Sequence, residues 1–127
     1  MKKIKLTLLG LIAIILVSCS GSDVYRGAWK ATDSQGAKYE LNFDAKVFSV
    51  TDSSGEIESF NYTQNSVNIK NSVSTYGIQL SDGRVFQITF PIPSNQNKGL
   101  MKDENGVPVF AIGRNDYIAY DELYNLK

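Results

Sequence analysis

Residues 76–90 have the sequence YGIQLSDGRVFQITF, and the fold follows from this stretch. Apolar side chains alternate with polar ones on both sides of Ser81-Asp82-Gly83, the pattern of two strands that each bury one face. An Asp-Gly pair between two such runs is the strongest short-range signal for a β-hairpin. The stretch therefore predicts two antiparallel strands joined by a tight turn.

The same period of two extends from this hairpin in both directions along the chain. Further alternating runs lie at residues 38–43, 48–50, 60–62, 67–69, 100–102 and 107–112. Turn formers separate them, among them Asp52-Ser53-Ser54-Gly55 and Asp103-Glu104-Asn105-Gly106, and Gln64-Asn65 predicts a break between two of the runs. Short strands with turn chemistry between them predict an all-β fold, an antiparallel meander barrel of eight or nine strands.

The last part of the chain has a different pattern. Asn115 or Asp116 is suited to cap a helix, and Tyr117, Tyr120 and Leu123 then fall on one helical face with Tyr124. The spacing predicts a short C-terminal helix over residues 116–125, covering an open end or a flank of the barrel.

The first 23 residues carry a different signal. Three lysines near the start precede an apolar run from Leu6 to Val17, as in an export signal that is too short to be a stable membrane span. The following Leu16-Val17-Ser18-Cys19 resembles the lipobox of bacterial lipoproteins. That resemblance implies a signal peptide at residues 1–18, a lipidated Cys19 as the mature N-terminus, a tether at residues 19–25 and a barrel domain at residues 26–127.

The resemblance to bacterial lipoproteins also implies a location. Ser20 stands directly after Cys19, where an Asp would favour retention at the inner membrane of Gram-negative cells. We therefore expect lipid anchoring in the outer membrane, with exposure to the periplasm or to the cell surface left open. Two or more acyl chains are needed for stable anchoring, and a bacterial lipoprotein N-terminus supplies them.

Composition narrows the classes of function. The chain has 13 basic and 13 acidic residues, and loss of the three lysines in residues 1–18 leaves ten against thirteen, a net charge of −3. This balance has no basic footprint for nucleic acid and argues against binding to anionic lipid through basic residues alone. The absence of His excludes Ser-His and Cys-His nucleophile pairs and His-ligated zinc.

The carboxylates give no sign of catalysis either. Glycoside hydrolysis needs two acids placed together, whereas most of the aspartates lie in predicted turns: Asp33, Asp44, Asp52, Asp82 and Asp103. Glu40, Glu56 and Glu58 are expected on outward phases or strand edges. We therefore predict no catalytic residues, no metal site and no cofactor, and a protein that is not an enzyme.

A second resemblance concerns the two ends of the barrel domain. Gly27-Ala28-Trp29 forms a Gly-x-Trp at the first strand, and Arg114 follows the last strand. This arrangement resembles the lipocalins and the small lipocalin-like lipoproteins of Gram-negative bacteria. It implies a lipocalin-like barrel whose floor is formed by Gly27, Trp29 and Arg114, with the guanidinium packed across the indole ring.

The interior of such a barrel is either filled by side chains or holds one small ligand, and the sequence leaves both open. The inward phases include Val67 and Ile69, and the candidate ligand cavity is formed by aromatic side chains: Tyr39, Phe43, Phe60, Tyr62, Tyr76, Phe86 and Phe90. Of these, Tyr39, Tyr62 and Tyr76 near a barrel mouth would suit an amphipathic ligand, or equally well a wet rim, because a buried hydroxyl needs a partner.

Together these features predict a non-catalytic, membrane-anchored binding lipoprotein that carries a small hydrophobic ligand. The alternative is a protein-interaction lipoprotein of the cell envelope, such as an inhibitor, an immunity protein or a complex subunit. Ser34-Gln35-Gly36-Ala37-Lys38-Tyr39 resembles a Ser-x-Gly-x-x-Tyr region of the periplasmic lysozyme-inhibitor lipoproteins, although the single Trp precedes it here instead of following it.

Overall fold

A computed structural model describes residues 24–93 and 95–124. Within them the chain forms eight strands and one helix, here α1. Their bounds are β1 Gly27–Thr32, β2 Lys38–Phe43, β3 Val47–Thr51, β4 Ile57–Lys70, β5 Val73–Leu80, β6 Val85–Phe90, β7 Lys98–Asp103, β8 Pro108–Gly113 and α1 Tyr120–Tyr124. Each strand pairs antiparallel with the next, and β8 pairs with β1 to close a barrel. The predicted all-β, lipocalin-like barrel with a short C-terminal helix is confirmed, with eight strands. The predicted signal peptide, Cys19 and residues 19–23 of the tether lie outside the described residues.

The connections between strands alternate between two ends of the barrel. The end with the turns β1–β2, β3–β4, β5–β6 and β7–β8 is here called the mouth. The opposite end, the floor, carries the start of β1, the β2–β3 and β4–β5 turns, the β6–β7 loop and the residues after β8.

The four mouth turns share one construction. Each contains a glycine with φ between 82° and 99°, a conformation that favours glycine: Gly36, Gly55, Gly83 and Gly106. Each glycine N–H donates to the carbonyl three residues earlier, at 3.0 Å. In three of the turns the first residue is an aspartate whose Oδ1 accepts two backbone N–H groups at 2.9–3.0 Å: Asp33, Asp52 and Asp103. The turns around the mouth are therefore stabilised by hydrogen bonds within each turn.

The C-terminal helix covers a flank of the barrel. Ile118 and Leu123 pack against Leu100 of β7 and Ala111 of β8, on the outer face of these strands. The helix begins at Tyr120, so its predicted start at residue 116 is wrong. Ile118 is held in this outer cluster and the Tyr120 hydroxyl donates to the Pro108 carbonyl at 2.8 Å, so packing sets the path of residues 116–119.

The predicted break at Gln64-Asn65 is also wrong, because β4 runs through it as a single strand of 14 residues. A β-bulge lies between Gln64 and Ser66, and the turn comes later, at Asn71 and Ser72, whose φ angles are 54° and 65°. Up to Asn61 the strand pairs with β3, and from Tyr62 it pairs with β5. The bulge bends this long strand, whose first part pairs with β3 and whose second part pairs with β5.

The prediction that Val67 and Ile69 are inward and buried is wrong for their burial. They lie opposite Tyr76 and Ser74, on the interior face, yet they are 43% and 62% exposed. The reason is that β3 ends its pairing with β4 at Asn61, so among the described strands only β5 pairs with this part of β4. Alternation selects the face correctly, but no second layer of side chains covers it.

Two isoleucines test this assignment as a matched pair. Ile78→Ala removes a side chain that is 0% exposed, and we expect it to lower the free energy of unfolding by about 2–5 kcal/mol. Ile69→Ala removes the same atoms from an exposed site and should change it by less than about 0.5 kcal/mol. Denaturant unfolding of both variants measures the difference, and equal losses would show that Ile69 is part of the core.

Candidate functional site

The predicted floor residues meet at the seam where the barrel closes. Arg114 Cζ lies 3.8 Å from the centroid of the Trp29 ring, and Trp29 is 1% exposed. Such a stacked guanidinium contributes about 0.5–2 kcal/mol, depending on how far it is desolvated. The indole Nε1 donates to the Tyr25 carbonyl at 2.6 Å, which fixes the ring against the chain that enters β1.

Arg114 also completes the seam with hydrogen bonds. Pairing between β1 and β8 covers only Lys30–Thr32 and Ala111–Gly113. Below it the guanidinium donates to three backbone carbonyls at 2.6–3.0 Å, those of Val24, Arg26 and Ala28. A Cβ at Gly27 would lie 3.1 Å from Arg114 Nη1, and Gly27 has a φ of 98°, so glycine leaves room for this side chain. Burial lowers the pKa of Arg114, although an arginine stays charged at any ordinary pH.

Tyr25 fills the barrel directly above this seam. It is 0% exposed, and its ring centroid lies 5.4 Å from those of Phe43 and Tyr76 and 6.5 Å from that of Tyr62. Tyr25 therefore belongs to the core and not to the tether. The sequence signal for it is the pair Val24-Tyr25, two side chains with large apolar parts between a polar segment and the first strand. Burial, followed by the nearby Tyr62, raises the pKa of the Tyr25 hydroxyl.

The seven predicted cavity residues divide into two groups. Four of them are at most 4% exposed and fill the floor side of the interior around Tyr25: Phe43, Tyr62, Tyr76 and Phe90. Tyr62 and Tyr76 are thus not mouth residues, and the Tyr62 hydroxyl donates to the Asp44 carbonyl in the floor turn between β2 and β3. The lower barrel is filled, which leaves no deep ligand chamber there.

The other three cavity residues, Tyr39, Phe60 and Phe86, line a shallow cavity of about 240 Å³ at the mouth, here called the cup. Its remaining lining residues are Phe48, Val50, Glu58, Leu80, Arg84, Met101, Val109 and Phe110. Tyr39 and Phe110 pack edge to face with centroids 5.1 Å apart, which closes one side. The cup is apolar at its base, since Phe48, Leu80 and Met101 are buried.

Two charged residues stand at the edge of the cup. Glu58 lies opposite Val50 and shares the inner phase of β4 with Phe60, so the predicted outward or edge position is wrong for this residue. Arg84 Cζ lies 4.9 Å from the Phe60 centroid and 5.8 Å from that of Phe86. Its Nε and Nη2 both donate to Asp82 Oδ2, at 3.0 and 2.9 Å, and this lowers the pKa of Asp82.

The rim around the cup is acidic. The mouth turns supply Asp33, Asp52, Asp82 and Asp103, together with Glu56 and Glu104. The Tyr39 hydroxyl donates to Asp33 Oδ2 at 3.3 Å, and burial followed by this carboxylate raises the pKa of Tyr39. Lys38, Arg84 and Lys102 also lie at or beside the mouth turns, but the six carboxylates outnumber them and give the mouth a negative potential.

No three Asp, Glu, His or Cys side chains in residues 24–93 and 95–124 come together in a way that suits a metal ion. No helix in this part of the chain is both long and apolar enough to cross a bilayer. Comparison of the chain with protein families, with curated proteins and with solved structures found no match.

Arg114→Lys tests the role of the planar guanidinium at the seam. A lysine keeps the charge but cannot donate to three carbonyls in this fork geometry, so we expect the free energy of unfolding to fall by about 1–3 kcal/mol. Arg84→Lys is the matched control, because Arg84 is 53% exposed and its surface pair should contribute less than about 1 kcal/mol. Similar small losses in both variants would contradict the structural role of Arg114.

Tyr25→Phe tests the buried hydroxyl through pH. The folded pKa of Tyr25 is raised above the unfolded value of about 10, so the unfolded chain loses this proton first. The stability that comes from the neutral phenol is complete below about pH 10 and is lost as the pH rises further. Denaturant unfolding at alkaline pH should show a shallower decline for Tyr25→Phe than for the unmodified chain, and parallel declines would contradict this.

Proposed function

We propose that this chain is a non-catalytic binding protein, held to a membrane by a lipidated Cys19, whose cup receives the apolar end of a ligand. The supporting observation is an apolar cavity of about 240 Å³ ringed by aromatic side chains at the mouth of an otherwise filled barrel. Aromatic walls with a few placed polar groups are the usual make-up of a binding pocket.

The size of the cup narrows the ligand. Two hollows of about 390 and 560 Å³ adjoin the cup, one at Tyr39 and Val50 and one at Arg84 and Phe86. The cup by itself, at about 240 Å³, is smaller than the roughly 300–1,000 Å³ of pockets for drug-sized molecules. It suits one aromatic ring or the end of an alkyl chain, with the rest of the ligand outside the barrel.

The charged side chains around the cup further restrict the chemical class of the proposed ligand. The part that leaves the cup passes Glu58 and the acidic rim, while the positive charge of Arg84 is taken up by Asp82. Complementary potential favours a partner of opposite sign. The proposed ligand is therefore amphipathic, with an apolar end and a positive charge.

The membrane anchor is proposed from the basic start, the apolar run and the lipobox-like Leu16-Val17-Ser18-Cys19. The location that goes with it is the outer membrane of a Gram-negative cell, on either leaflet. Because the chain enters β1 from the floor, an anchor at Cys19 would hold the mouth on the side away from the lipid.

The test is a titration of the full chain with two amphiphiles of equal tail length, decylammonium and decanoate, below their micelle concentrations. We expect saturable binding of decylammonium that is roughly tenfold tighter, since favourable contact with the rim is worth about 1.4 kcal/mol for each factor of ten. Backbone amide shifts in NMR spectra should change at Phe60, Phe86 and Phe110.

Glu58→Lys should reverse the preference between the two amphiphiles, and Gln79→Lys is its control, since Gln79 is exposed on β5 away from the cup. Absence of saturable binding by either amphiphile would remove the proposal. If Glu58→Lys and Gln79→Lys show the same preference between the two amphiphiles, the proposed electrostatic selection at the rim is wrong.

A second candidate, binding of a protein partner at the mouth, is favoured by two exposed apolar side chains. Ile57 is 65% exposed and Val107 is 54% exposed, and both lie beside mouth turns. A photo-crosslinking amino acid at position 57 or 107 in intact cells should then join the chain to one protein, whereas position 79 should not. Lack of a specific product at the mouth positions would count against this candidate.

A further inference from the structure

We infer that the β4–β5 tip, residues 67–72, docks on the lipid bilayer with Val67 and Ile69 in contact with acyl chains. This inference rests on the proposed anchor at Cys19. It assigns an orientation to the barrel and a lipid-contact surface that is separate from the cup.

The tip exposes two apolar side chains that contact water unless another surface covers them. Val67 and Ile69 are 43% and 62% exposed and point to the same side of the ribbon. Pairing with β3 has already ended at Asn61, so among the described strands only β5 flanks the tip. Two neighbouring apolar side chains on an uncovered strand edge form a candidate contact surface for a membrane or a protein.

The position of the tip favours lipid. The Asn71-Ser72 turn is at the floor, the same end at which the chain enters β1. Tyr25, in the chain that enters β1, packs against Tyr76, whose cross-strand partner is Val67. Only four residues separate Cys19 from Val24, so the five steps between them reach at most about 18 Å.

The charges are consistent with this orientation. The floor turns and adjoining strand ends carry Lys46 and Lys70 with one aspartate, Asp44, whereas the mouth turns carry four aspartates and two glutamates against the nearby bases Lys38, Arg84 and Lys102. A barrel with its floor toward an anionic surface places the mouth aspartates farthest from it, and each lysine near such a surface contributes favourably.

Two protein occupants of the tip fit less well. A second copy paired along the edge of β4 would bring two Lys70 residues and several Asn side chains into the contact, and charged edges oppose such pairing. Residues 20–23 are Ser-Gly-Ser-Asp and have no apolar side chain to lay on Ile69.

The test uses the full chain purified in detergent and reconstituted into vesicles of phosphatidylcholine and phosphatidylglycerol with brominated acyl chains. Ile69→Trp places an indole at the tip, and Ile57→Trp places one at an equally exposed site on the mouth. The unmodified chain supplies the baseline, because Trp29 is buried. A side chain seated roughly 5–10 Å below the headgroups is within reach of the bromines. We therefore expect the indole introduced at position 69 to lose about half of its emission and the one at position 57 to lose little.

Flotation of the vesicles separates the anchor from the docking. An Ile69→Trp chain that floats but keeps the emission of its introduced indole overturns the inference and leaves the anchor in place. Blue-shifted emission from that indole without bromine quenching does the same, because it indicates a protein cover. Equal quenching at positions 57 and 69 overturns the orientation. Failure to float overturns the anchor and the inference together, while amphiphile binding at the cup is measured independently.

Discussion

The barrel depends on the way Arg114 closes its seam. β1 and β8 pair over only three residues on each strand. Arg114 adds three side-chain hydrogen bonds to the carbonyls of the entering chain and covers the Trp29 ring with its guanidinium. Because Trp29 in turn binds the Tyr25 carbonyl, the same contact sets Tyr25 into the interior. One side chain thus links barrel closure to the filling of the core.

That filling divides the barrel into two chemically different ends. Around Tyr25, Phe43, Tyr62 and Tyr76 pack ring against ring, and the floor side of the interior is occupied by protein. Toward the mouth the interior side chains leave the cup between them. The acidic turns with their self-bonded aspartates surround the cup, whereas the entering chain and the β4–β5 tip are at the floor. The ligand recognition proposed at one end and the lipid contact inferred at the other therefore do not compete for the same surface.

Predictions from the sequence succeeded where a local pattern sets the outcome and failed where a neighbour sets it. The alternation of Tyr39, Leu41 and Phe43 gave the correct strand and the correct face, because a pleated strand has a strict period of two. Gln64-Asn65 has turn-forming chemistry but forms a bulge, because β5 continues to pair with β4 beyond it. The sequence predicts an outward or strand-edge position for Glu58, although it has the same strand phase as Phe60. Alternation predicts the interior phase of the cavity residues, but it does not show that Tyr25 packs among three of them, Phe43, Tyr62 and Tyr76.

Local sequence patterns were enough to establish the all-β class, the four glycine turns at the mouth and the faces of most strands. These follow from the backbone freedom of glycine, from local hydrogen bonding by aspartate and from alternation, all of which act within a few residues. Long-range packing determines how much of the barrel is filled by side chains. It also determines that Tyr25 belongs to the core and that Val67 and Ile69 are exposed to solvent. Those outcomes depend on where the pairing of β3 with β4 ends and on which side chains Tyr25 contacts. Both are set by contacts between residues far apart in the sequence.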